Sequence, residues 1–90
     1  MKFEWDEQKA EFNKRKHDLS FQEATTCFGD AFALSFSDPD HSELEDRYIT
    51  FGRTVTGKHV IISHTDRNDV IRIISARPMT SAERRTYEHG

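Results

Sequence analysis

Between Arg47 and Arg77 the chain carries three runs rich in β-branched and aromatic residues: Arg47 to Thr54, Lys58 to Thr65 and Val70 to Arg77. Only turn-length segments separate them, around Gly57 and over Asp66 to Asp69. Connections that short join neighbouring strands antiparallel, because a parallel pair needs a crossover of about a dozen residues or more. A hairpin-built sheet is therefore the frame into which the rest must fit. A further run, Ala31 to Phe36, places Phe32, Leu34 and Phe36 on one side and predicts a fourth strand, with the acidic stretch through Asp46 as the loop after it.

Helix signals flank this sheet. Glu7 to Lys16 predicts a first helix, with Ala10 and Phe12 near Phe3 and Trp5 on one side and Lys9, Lys14, Arg15 and Lys16 carrying charge. Ser20 and Glu23 have capping-box spacing, and Phe21, Ala24 and Phe28 follow at helical intervals up to Gly29. Pro78 stops the last strand, and Thr80 with Glu83 forms a second capping box that opens a helix through Glu88. The predicted order is α-α-β-β-β-β-α, an α+β fold with helices packed on one face of a four-stranded antiparallel sheet.

Ninety residues amount to one domain, 1–90, too small for a deep cofactor cleft. Leu, Ile, Val and Phe together number only 19, so the seven Phe are expected to supply much of the core. No apolar run reaches the ~18 residues of a membrane span and the first residues carry acids, so a cytoplasmic protein is expected, with no membrane partner. Cys27 is the sole cysteine and has no basic neighbour; it reads as a buried structural thiol.

Charge is divided unevenly. Residues 1–46 hold 5 Lys/Arg and 12 Asp/Glu, whereas residues 47–90 hold 8 and 4. The basic half can meet phosphate locally, and the acidic half suits a basic partner protein. Tested as a calcium loop, Asp38, Asp40 and Ser42 fit, but Glu43 stands where Gly is required and Ile49 where the bidentate Glu belongs. Asp38, Asp40 and His41 on a loop are a weak transition-metal set. Zinc spacing, a Gly-rich phosphate loop and a G-x-S-x-G elbow are all missing, so neither metal nor cofactor is expected.

The densest chemistry lies on the last two strands: His64, Arg67, Arg72 and Arg77. An imidazole titrates near ~6.5, suiting proton transfer, and a guanidinium in a half-buried strand must find an anion. Strict alternation puts Arg72 and Arg77 on opposite faces, so they converge only if a bulge or the bend before Pro78 re-aims one. An internal carboxylate such as Glu83 or Asp6 would satisfy either Arg without any ligand, and spacing alone favours that. Lys14 to His17 form a second basic run, where positive charge also suits a helix C-terminus.

Phe3-Glu4-Trp5-Asp6, Lys9, Asn13, Lys16-His17, Ser20-Phe21 and Glu23-Ala24 resemble the opening of the BrnT family of type II toxin–antitoxin toxins. The resemblance continues through Asp38-Pro39-Asp40-His41, Arg47-Tyr48, Gly52-Arg53, His64-Thr65 with Arg67, Ile71 to Arg77, Glu83-Arg84-Arg85 and Tyr87-Glu88. Asp18 departs from the pattern, which has Gly there. The resemblance implies a RelE-like fold and a ribonuclease toxin held inactive by a DNA-binding, BrnA-like antitoxin that brings the complex to operator DNA. It also makes His64, Arg67, Arg72 and Arg77 candidate catalytic residues, with Lys16, His17 and Arg53 as RNA-binding residues. The chemistry implied is metal-independent cleavage by 2′-OH attack. The competing reading is a non-catalytic module that docks an antitoxin and touches operator DNA.

Overall fold

The hairpin strands form where their composition demands them. A computed structural model describes residues 1–38, 40 and 46–90. In chain order the elements are β1 (Lys2–Trp5), α1 (Glu7–His17), α2 (Phe21–Thr25) with a 3₁₀ turn at Thr26–Gly29, β2 (Leu34–Ser37), β3 (Arg47–Arg53), β4 (His59–Arg67), β5 (Val70–Pro78) and α3 (Ser81–His89). The strands make one five-stranded sheet in the order β1-β5-β4-β3-β2. All neighbours are antiparallel except β1, which pairs parallel with β5, Lys2 opposite Val70 and Trp5 opposite Ile73.

This corrects the expected four-stranded antiparallel sheet. Phe3 and Trp5 point into the core and Lys2 and Glu4 out, a period-two pattern, not one side of a helix. Helices also cover both faces instead of one. Leu19, Phe21, Ala24 and Cys27 pack on Val60, Ile62, Ile73 and Ala76, whereas α3 crosses the other face near Leu34, Phe51, Ile61 and Arg77. The core is more aliphatic than composition predicts: Phe21 is fully buried, while Phe12, Phe32 and Phe36 are exposed.

Local signals explain the helix ends. Asp6 caps α1, its carboxylate accepting from the Gln8 and Lys9 amides. Asp18 ends α1 in the left-handed conformation (φ 53°, ψ 42°), so the turn expected of Gly is made by one of the few residue types that tolerate it. Ser20 accepts from the Glu23 amide, and the Thr80–Glu83 capping box is complete. Beyond Ile73, where β1 ends, Asn13 finishes the edge of β5: its Oδ1 accepts from the Ala76 amide and its Nδ2 donates to the Leu19 carbonyl, both at 3.1 Å.

Cys27 is buried beneath β3, and burial pushes its thiol pKa up to about 12, in keeping with a structural role. Gly52 makes that packing possible, since a Cβ there would sit 2.9 Å from the Cys27 Cβ.

Candidate functional site

Strand register decides which side chains meet. Glu4, Arg72, Thr65 and Arg47 lie opposite one another across β1, β5, β4 and β3, forming a row near the β4–β5 hairpin. Farther along, Ser63 faces Ser75 and Ile61 faces Arg77. Between these pairs the register slips: Ser63 opposes Ser75 but His64 opposes Ile73, leaving Ile74 as the extra residue of a β-bulge. The slip puts Arg72 and Arg77 on one face, together with Thr65 and, by alternation along β4, Arg67. The Val-Ile-Arg-Ile-Ile-Ser-Ala-Arg run itself carries no mark of where the extra residue falls.

The arginines differ in how firmly they are held. Arg77 donates bidentately to Glu83, at 2.7 and 2.8 Å, a pair that ties β5 to the start of α3. Those hydrogen bonds, with the capping contacts of Thr80, hold the Glu83 carboxyl down at about pKa 2 despite partial burial. Among the described residues Arg72 is ion-paired with Glu4 alone, at 3.6 Å, with both side chains substantially exposed. Between Arg72 and Arg47 in register, the Thr65 hydroxyl is buried with no hydrogen-bond partner, the only such side-chain atom among the described residues.

His64 does not join this group. It shares the other face with Ile62, is buried, and packs edge-on against Phe28 (5.1 Å) and stacked on Tyr48 (5.9 Å). The expected meeting of His64 with Arg67, Arg72 and Arg77 at one spot is thus replaced by two sites on opposite sides of the sheet. Both ring nitrogens are engaged. Nδ1 lies 2.7 Å from Asp66 Oδ1, Nε2 lies 2.7 Å from Thr50 Oγ1, and Thr50 Oγ1 lies 2.7 Å from Ser35 Oγ. The result is a continuous chain from Asp66 at the hairpin end, through the buried imidazole, to Ser35 on the exposed edge strand. Ser35, Thr50 and Asp66 escape a sequence reading. Only the alternation Ile62, His64, Asp66 hints that the imidazole faces inward, and three successive apolar residues, Val60 to Ile62, blur it.

The remaining candidates lie at the opposite end of β4. Lys16 and His17 occupy the last turn of α1, with the Lys16 Nζ 6.0 Å from the Phe12 ring. Arg53 pairs in register with His59, and its amide donates to Asp30 Oδ2 at 2.9 Å. Asp38 and Asp40 are described but His41 is not, and among the described residues no three His, Cys, Asp or Glu side chains gather as a metal cluster.

Residues 5–83 match the family described as "Ribonuclease toxin, BrnT, of type II toxin-antitoxin system". The chain belongs to the BrnT family. Its fold is that of a BrnT: the crystal structure of the ribonuclease toxin BrnT from Brucella abortus superposes with a TM-score of 0.63 at 22% identity, covering 90% of this chain and 99% of the Brucella chain. No curated protein matches the sequence. Membership in a type II toxin family implies an antitoxin partner for this BrnT chain. No helix among the described residues is long and apolar enough to cross a membrane.

Proposed function

We propose that this BrnT-family chain is an endoribonuclease that cleaves RNA by 2′-OH attack without a metal, at the end of the β4–β5 hairpin. The observation that carries this reading is the row at the hairpin end, where Arg72 lies opposite Thr65, whose buried hydroxyl has no partner among the described residues. An exposed ion pair such as Arg72–Glu4 stabilises by about 1 kcal/mol at most, so a phosphate can displace Glu4 readily. Arg72 then binds the phosphate and Arg67 stabilises charge on its oxygens, since guanidinium stays charged and binds phosphate bidentately. An oxygen of that phosphate also gives the Thr65 hydroxyl the acceptor it lacks. Arg77, already committed to Glu83, is a positioning residue that fixes α3.

Proton transfer falls to the Asp66–His64 pair. Asp66 is about half exposed beside the hairpin tip, whereas His64 is sealed behind it. RNA crossing the tip meets the arginines from one side and Asp66 from the other. Asp66 takes the 2′-hydroxyl proton as the oxygen attacks phosphorus. His64 stabilises the resulting acid, and the same proton returns to the departing 5′-oxygen. The products are a 2′,3′-cyclic phosphate and a 5′-hydroxyl. His64 acts through Asp66 and does not itself touch RNA. Lys16, His17 and Arg53 would bind the RNA backbone farther along. Inhibition by a DNA-binding, BrnA-like antitoxin follows if it covers the hairpin end, and operator DNA is reached only through that antitoxin.

The test is to incubate purified, antitoxin-free protein with RNA in EDTA and to identify the ends produced. Cyclic phosphate and 5′-hydroxyl ends are expected. Loss of cleavage in EDTA, or 5′-phosphate ends, would overturn the reading.

A further inference from the structure

Where α1 ends, β4 begins and α3 starts, the surface folds into a cavity of about 480 Å³ lined by His17, Lys58, His59 and Arg84, with Asp18 as its only acidic side chain. Its cations are held by exposed ion pairs, which a ligand can displace at little cost. Arg84 has Glu88 one turn on, at 3.8 Å with both side chains about half exposed, a pair of little value. Lys58 is drawn to the rim by Glu23 Oε1 at 3.3 Å and the Asp18 carbonyl at 3.2 Å.

His59 lies between strand and helix, edge-on to Tyr87 at 5.5 Å. Burial, then the cations of Arg84 and Arg53, push its imidazole below the usual histidine range, outweighing Glu88 and Asp30. Burial disfavours any charge there, but the part of the penalty that comes from Arg84 and Arg53 is one that an anion relieves.

We infer that this notch binds a phosphodiester of a single-stranded nucleic acid chain, at a distance from the hairpin end. The assignment rests on the proposed ribonuclease function and adds a second subsite to it. A nucleic acid strand is favoured over an acidic peptide by spacing: Arg72 at one end of β5 and Arg84 on α3 beyond its other end offer two separated cations, with Arg77 between them held by Glu83. β4 separates the two ends, and from His59 to Arg67 it spans roughly 26 Å at ~3.3 Å per residue. That length suits several nucleotides held at two points, so that the notch sets grip and register while the hairpin end does the chemistry.

The experiment titrates the purified chain with a single-stranded DNA oligonucleotide, which lacks the 2′-hydroxyl and cannot be cleaved, at several salt concentrations. Arg84→Gln and His59→Gln should each weaken binding about fivefold, and Arg84→Gln should flatten the slope of log K against log salt by about 0.7, one phosphate contact on a single strand. Arg84→Lys should restore most of the affinity, and single-turnover cleavage at saturating RNA should stay within twofold of wild type for all three.

Unchanged affinity and salt slope in both Gln variants, with the wild type binding and cleaving, removes the notch alone. Binding with the expected signature but no RNA cleavage by the wild type removes the ribonuclease reading and leaves the notch standing. Poly-glutamate competing as well as the oligonucleotide at equal charge concentration overturns the assignment in favour of an acidic protein segment.

Discussion

The two faces of the sheet use alternate residues of the same strand for opposite purposes. On the face under α1 and α2, β4 contributes Val60, Ile62 and His64, all buried; on the other it contributes Ser63 and Thr65 alongside Arg72 of β5. Among the described residues, buried polar side chains on the helix face are all engaged, His64 through both nitrogens. On the arginine face a buried hydroxyl has no partner and Arg72 is loosely paired. The lesson is that substitutions of groups buried under the helices should register as stability, and those of loosely held groups at the hairpin end as activity.

The largest expected effect, and the sharpest test of that division, is that of His64→Ala. Losing the ring leaves a cavity beside Phe28 and takes a partner from both Thr50 and Asp66, which should cost about 3 kcal/mol of unfolding free energy in urea titration. A fully stable His64→Ala would mean that the imidazole is not part of the core. Asp66→Asn probes the same chain from its exposed end. It should slow single-turnover cleavage more than tenfold with little change in the urea midpoint; equal losses of rate and stability would reduce the pair to a structural contact.

Arg72→Ala should slow cleavage by about 100-fold, a change of ~2.7 kcal/mol in barrier, while the protein stays folded by circular dichroism. A wild-type rate would remove the arginine face from the reaction. Glu83→Gln should destabilise by about 2 kcal/mol at neutral pH, because it breaks a bidentate charged pair.

Acid should reproduce that loss in the wild type. The Glu83 carboxyl titrates near 4.5 when unfolded and at about 2 when folded. Its contribution is complete above about pH 4.5 and disappears as pH falls towards 2, because the unfolded state takes up the proton first. Urea midpoints from pH 5 to pH 2 should therefore fall less steeply in Glu83→Gln, and parallel curves would contradict the pairing.

The smallest effect is expected from Thr65→Val, within ~0.5 kcal/mol of wild-type stability or slightly more stable, because it deletes a hydroxyl with no partner. If that hydroxyl serves a phosphate, cleavage still slows severalfold. Clear destabilisation would show that the hydroxyl is satisfied in the folded protein.

Local chemistry made much of this molecule legible in advance. Turn-length connections identified the β3–β4–β5 meander, and the Ser20 and Thr80 caps located two helix starts, because each signal is complete within a few residues. β1 was hidden since four residues give two alternations and its partner is distant in sequence. The position of α3 was hidden because it buries no residue fully. Proximity in sequence brought His64, Arg67, Arg72 and Arg77 together on paper; pleat and bulge, which depend on how β4 and β5 pair, put the imidazole behind the sheet and the guanidiniums in front.

The parallel pairing of β1 with β5 has a consequence for the chain's birth. Lys2 leaves the ribosome well before Val70 to Ile73, so β1 waits without its neighbour while the elements between them are made. A truncated product would lack both Arg72 and the strand that secures Phe3 and Trp5. A product that stops short of β5 is expected to be inactive, since the closing strand and Arg72 arrive together.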